Sequence, residues 1–152
     1  MNKQELCQLL PHSGTMCLID EIISWDSTNL LAQTESHLNC NNPLRHQGAI
    51  SSIIGVEYAA QTMALHAALL SQQEDPGNSR KQKPGGYLAT IRNIRIDADS
   101  LYSPDSVNLS PLVISVSVLM CDSQGYSYDF TITADNSPLL SGRLTIFLTS
   151  ST

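Results

Sequence analysis

The stretch from residue 51 or 52 to about residue 70 constrains this chain most, because it reads as one long helix with apolar side chains on every side. Ser51 or Ser52 stands where a helix cap is needed. Ile53, Ile54, Val56, Ala59, Ala60, Met63, Ala64, Leu65, Ala67, Ala68, Leu69 and Leu70 then spread over the whole helical circumference. A helix apolar all round is predicted to be buried all round, and its alanines allow close approach by whatever surrounds it. No second long helical pattern follows, so the wrapping has to come from strands.

The remaining segments have that character. A short helix is expected over 4–10, stopped by Pro11. Residues 16–25 and 30–38 read as a hairpin about the turn Asp26-Ser27-Thr28-Asn29. After the helix, 71–86 is turn-rich and reads as an exposed, mobile loop. Strands are then expected over 87–96, 112–121, 126–134 and 139–148, with turns at Asp122-Ser123-Gln124-Gly125 and Asp135-Asn136-Ser137-Pro138. A hairpin, one buried helix and an antiparallel meander are most economically combined by curling the sheet around the helix. That is an α+β hotdog fold, here a single domain over 1–152.

Size and charge agree with it. A chain of 152 residues buries roughly two-thirds of its unfolded surface and needs no metal to hold a core. Charged residues make up only 14%, low enough to suggest a subunit interface and therefore an oligomer. The net charge of -6 argues against nucleic acid or anionic membrane as a partner. With no signal-like N-terminus and no continuous apolar span, the expected location is cytoplasmic. Cys7, Cys17, Cys40 and Cys121 lack paired CxxC spacing and are expected to be free, with no zinc and no disulfide.

Chemistry is sought among the few polar residues of the helix: Glu57, Gln61, Thr62 and His66. Burying a carboxylate costs several kcal/mol unless it is protonated or paired. Glu57 is thus either a general acid with a raised pKa or one half of a structural pair, with Gln61 or an arginine as partner. Gly55, near the helix start, either opens the backbone to a polarised carbonyl or packs tightly against a strand.

Several segments carry a family resemblance. Leu10-Pro11-His12-Ser13-Gly14 followed by Met16-Cys17-Leu18-Ile19-Asp20-Glu21-Ile22 resembles the opening of β-hydroxyacyl-[acyl carrier protein] dehydratases. Gly55-Val56-Glu57-Tyr58-Ala59-Ala60-Gln61 is similar to their helix motif, and Gly86-Tyr87-Leu88-Ala89-Thr90-Ile91-Arg92-Asn93-Ile94 to the strand that follows it. With Asn42-Pro43-Leu44-Arg45, the likeness points to the dehydratase-like hotdog proteins of aryl polyene biosynthesis clusters.

The resemblance implies a homodimer or hetero-oligomer with a site at the subunit interface, and an acyl carrier protein presenting substrate on phosphopantetheine, with no other cofactor. It implies catalytic Glu57, beside which Gly55 and Gln61 are the candidate substrate-binding residues. The family's Gly-His-Phe-Pro-Gly segment is replaced by Arg45-His46-Gln47-Gly48-Ala49-Ile50, so His46 is the candidate base, with a solvent-facing loop histidine as the alternative. The opening-segment His12 has an implied structural role, and His37 has no partner that the sequence identifies. Arg80, Lys81 and Lys83 form either a carrier-docking cluster or, as preferred here, a solvated loop. The implied reaction converts a 3-hydroxyacyl thioester to a trans-2-enoyl thioester. The alternatives are an acyl thioesterase, and a non-catalytic hotdog subunit that partners an active dehydratase.

Overall fold

Alternating apolar and polar residues give the longer strands their period of two, and the sheet they build positions everything else. The computed structural model describes residues 1–10, 16–74, 86–106 and 109–148. In chain order the elements are α1 (Lys3–Gln8), β1 (Glu21–Trp25), β2 (Asn29–Thr34), β3 (Ile50–Ser51), α2 (Gly55–Glu74), β4 (Gly86–Ile96), β5 (Ser100–Tyr102), β6 (Leu112–Asp122), β7 (Gly125–Ala134) and β8 (Ser137–Leu148). Six strands form one antiparallel sheet in the order β1-β2-β6-β7-β8-β4, while β3 pairs with β5.

The predicted turns close as their residues dictate. Asp26 Oδ1 accepts from the backbone N–H groups of Thr28 and Asn29, both at 2.8 Å, which folds the β1–β2 connection. Asp135 and Asn136 adopt φ of 50° and 62°, the left-handed pair that a two-residue hairpin between β7 and β8 requires. Leu30, Ala32, Ile114, Val116, Tyr128, Phe130, Ile132 and Leu144 alternate onto the inner face, and α2 lies across β2, β6 and β7 there. Each fully buried side chain of this kind, such as Leu65 on α2, contributes roughly 1.5–3 kcal/mol.

Four sequence expectations need correction. The predicted strand over 16–25 begins only at Glu21, although Cys17, Leu18 and Ile19 are buried as core residues. The second strand ends at Thr34, because Ser36–Leu38 turns into a 3-10 helix. Neither Ser51 nor Ser52 caps α2 directly: Ser52–Ile54 forms a 3-10 turn, and α2 starts at Gly55 and runs on to Glu74.

The fourth correction concerns burial of α2 on every side. Glu57, Ala60, Ala64 and Ala67 share one face that stays half-buried, and Ile53 extends it at 41% exposure. The sheet is open and single-layered, so within one subunit it covers one side of the helix. By length and composition the helical stretch Ser52–Glu74 could also cross a membrane, with mean hydropathy 1.3, yet 56% of its most apolar window is buried against the fold.

Candidate functional site

Glu57 sits in the first turn of α2, where the positive end of the helix dipole favours a carboxylate. It is half-buried and makes no hydrogen bond or ion pair with a described residue. The structural pairing with Gln61 that its sequence spacing allowed is therefore not made.

Gln61 is committed elsewhere. Its Oε1 accepts from Leu18 N–H at 2.9 Å and its Nε2 donates to the Met16 carbonyl at 2.6 Å. A side-chain amide used at both ends in this way replaces a missing strand partner for the 16–18 backbone, and Gln61 is only 3% exposed. Gly55 is likewise occupied. A Cβ there would stand 2.9 Å from both Ile132 Cδ1 and Leu140 Cδ2, and its N–H already donates to the Ser52 and Ile53 carbonyls. Of its two sequence readings, tight packing against strands is the one this geometry carries.

The histidines divide sharply. His66 is fully buried on α2, its Nε2–H donating to the Asp26 carbonyl at 2.7 Å and its Nδ1 accepting from the Tyr128 hydroxyl at 2.6 Å. Because a carbonyl only accepts, the tautomer is set. His37 is also buried, with Nε2 bonded to the Ser110 carbonyl at 3.2 Å and Nδ1 without a partner, and its burial holds its pKa below the usual imidazole value. His46 is exposed, on a tight turn in which it exchanges both backbone hydrogen bonds with Ala49. No described contact joins His46 to Glu57. His12 and the cluster Arg80, Lys81 and Lys83 lie outside the described residues, as does most of the predicted 71–86 loop.

A polar network that the sequence did not disclose surrounds the loop before α2. Tyr58 Oη lies 3.0 Å from both Ser36 Oγ and Asn42 Nδ2, and Asn42 Nδ2 also donates to the Ser36 carbonyl. Burial raises the Tyr58 pKa, and the Ser36 and Asn42 contacts oppose that only in part. Arg45 stacks its guanidinium 4.0 Å over the Tyr102 ring and donates to the His37 carbonyl, which fixes the turn that carries His46. The only advance signal was the cluster of small polar residues before the helix.

The expectation of free cysteines is corrected at one pair. Cys7 and Cys17 form a disulfide, with Cα atoms 5.7 Å apart, while Cys40 and Cys121 are free. Packing of α1 onto the core through Leu6 brings the two thiols together, which their spacing in the sequence could not reveal. No three His, Cys, Asp or Glu side chains converge as a metal-binding set among the described residues. A shallow cleft of about 300 Å³ is lined by Ser24, Trp25, Asp26, Leu31 and Ser115, and Glu57 is not part of its lining.

Residues 4–152 match the ApeP-like family, described as ApeP dehydratase. The chain belongs to the ApeP-like dehydratase family. No curated protein sequence matches it. Among solved structures, it is similar to the dehydratase heterocomplex ApeI:P from Xenorhabdus doucetiae, at 21% identity over 96% of this chain and 91% of that one, with a TM-score of 0.78. A mutant thioesterase, PA1618, from Pseudomonas aeruginosa is 13% identical over 97% and 94% of the two chains, with a TM-score of 0.63. A hypothetical thioesterase from Streptococcus pneumoniae, solved with coenzyme A, is 14% identical over 86% of each chain, with a TM-score of 0.57. These likenesses establish the hotdog fold expected from the sequence.

Proposed function

We propose that this ApeP-like subunit acts in dehydration of a 3-hydroxyacyl thioester, carried on the phosphopantetheine of an acyl carrier protein, to the trans-2-enoyl thioester. The observation that carries the proposal is the position of Glu57: an unpaired carboxylate on the one face of α2 that this subunit leaves half covered. A second hotdog subunit seated on that face would exclude water from the carboxylate and place a substrate hydroxyl within its reach.

In the proposed reaction a base removes the α-proton, the β-hydroxyl leaves as water with the proton of Glu57, and the double bond forms between Cα and Cβ. The base then gives up the α-proton to solvent and the carboxylate takes one back from solvent, so both groups return to their starting forms without redox chemistry. Among the described histidines His46 is the candidate base, because His37 and His66 are buried in structural bonds. Its exposure also favours a mixed assembly, in which the partner supplies the imidazole and this chain supplies Glu57. Turnover is assayed with a 3-hydroxyacyl carrier-protein substrate, using the chain alone and then with a co-expressed hotdog subunit. Appearance of enoyl absorbance supports dehydration, whereas release of free thiol without it would point to the thioesterase reading. Neither product in either assembly would refute both.

A further inference from the structure

Cys17 sits between the two backbone groups that Gln61 holds: the Met16 carbonyl accepts from Gln61 Nε2 and the Leu18 N–H donates to Gln61 Oε1. Its sulfur is bonded to Cys7 on α1, ten residues earlier in the chain. Gln61 lies one turn beyond Glu57 on the same helix, so the bridged segment runs alongside the face that carries the carboxylate.

Apart from the disulfide, the described anchorage of α1 is noncovalent. It has six residues, too short to be helical by itself, and it is held by the buried side chains of Leu6 and Leu10 and an exposed Lys3–Asp20 ion pair. The two sulfurs differ in access. Cys17 is 2% exposed, whereas Cys7 is only partly buried and offers a route for attack.

We propose that the Cys7–Cys17 disulfide is a redox-controlled tether, which holds the 16–18 segment on Gln61 and so sets the order of the helix face around Glu57. A cellular dithiol attacks Cys7, the Cys7–Cys17 bond breaks, and a second thiolate of the reductant resolves the mixed disulfide. Two electrons and two protons pass to the cysteine pair as the reductant closes its own disulfide. Reduction opens the loop between Cys7 and Cys17, frees α1 to detach, and leaves the Gln61 amide to compete for the 16–18 backbone without covalent help. The effect on turnover rests on the dehydratase proposal, whereas the effect on backbone order does not.

The test compares the oxidised protein with the same protein after treatment with dithiothreitol, and with the double variant Cys7→Ser/Cys17→Ser. Hydrogen exchange of the Leu18 amide and the NMR signal of the Gln61 side-chain amide are followed, together with turnover in the assembled enzyme. Reduction is expected to speed Leu18 exchange by about tenfold or more while β6 and β7 amides stay protected. It should also move the Gln61 signal toward that of a free amide, and lower turnover several-fold in a way that oxidised glutathione reverses. The double variant should match the reduced protein and ignore both reagents.

Equal Leu18 exchange in the two redox states would overturn the tether, and so would altered exchange with unaltered turnover in an active assembly. Altered exchange and Gln61 signals in a protein that never dehydrates substrate would uphold the tether and place the failure in the dehydratase proposal.

Discussion

Tyr128 on β7 gives its hydroxyl hydrogen to His66 on α2 across 2.6 Å of buried core, and the same imidazole passes its other N–H to the Asp26 carbonyl at the β1–β2 turn. One histidine thus ties the central helix to two separated parts of the sheet. The expected outcome of Tyr128→Phe is a loss of about 1–3 kcal/mol, since His66 Nδ1 is left buried and unsatisfied. Thermal unfolding should then fall by several degrees with the sheet intact by circular dichroism.

Alkali should unfold the protein through its tyrosines. Burial pushes Tyr126 up to about 12, and burial lifts Tyr128 further above the ordinary phenol value. Both groups keep their proton in the fold at a pH where the unfolded chain loses it, so their contribution is complete below about pH 10 and declines above it. A plot of unfolding free energy against pH should therefore slope downward from about 10 to 12, and Tyr126→Phe should make that slope shallower, leaving the Tyr128 contribution.

Acid acts through His37 and Asp20. Burial lowers the His37 pKa, so its neutral form stabilises the fold above about 6.5 and that contribution is lost as pH falls below it. Burial alone would raise Asp20, but hydrogen bonds from Lys3 and the Glu35 N–H outweigh it and hold the carboxyl below its usual value. Its contribution is present above about 3.8 and disappears further into acid. His37→Gln keeps a donor for the Ser110 carbonyl without titrating, so it should remove the first of these two declines and leave the second.

Ala59 is completely buried on the sheet-facing side of α2. Ala59→Asp places a carboxylate there with no partner, at a cost on the order of 3–5 kcal/mol, and soluble folded protein should be lost. The matching change at Ala64, on the half-covered face, should leave the isolated subunit folded and instead block assembly, as sedimentation would show.

Glu57→Gln keeps shape and hydrogen-bonding capacity while removing the titrating proton. Turnover in an active assembly should fall by roughly 10²-fold or more with melting unchanged. Wild-type turnover by this variant would remove Glu57 from the mechanism.

Local patterning alone carries the hotdog architecture: alternation places the long strands, Asp122 and Asp135-Asn136 mark turns, and the apolar run over 53–70 announces the core helix. Glu57 was conspicuous because a carboxylate in such a run needs a reason. What tertiary structure alone decided is where side chains far apart in sequence meet. Alanine looks the same in a core as on a subunit face, so the half-exposed row through Ala60 and Ala64 was hidden by its own composition. The short strands β3 and β5 carry too few residues to show a period. Gln61 with Leu18, His66 with Tyr128 and Cys7 with Cys17 are pairings set by how α1, α2 and the sheet pack. A polar residue in the sequence says that it needs a partner, and only the folded chain says which one it has.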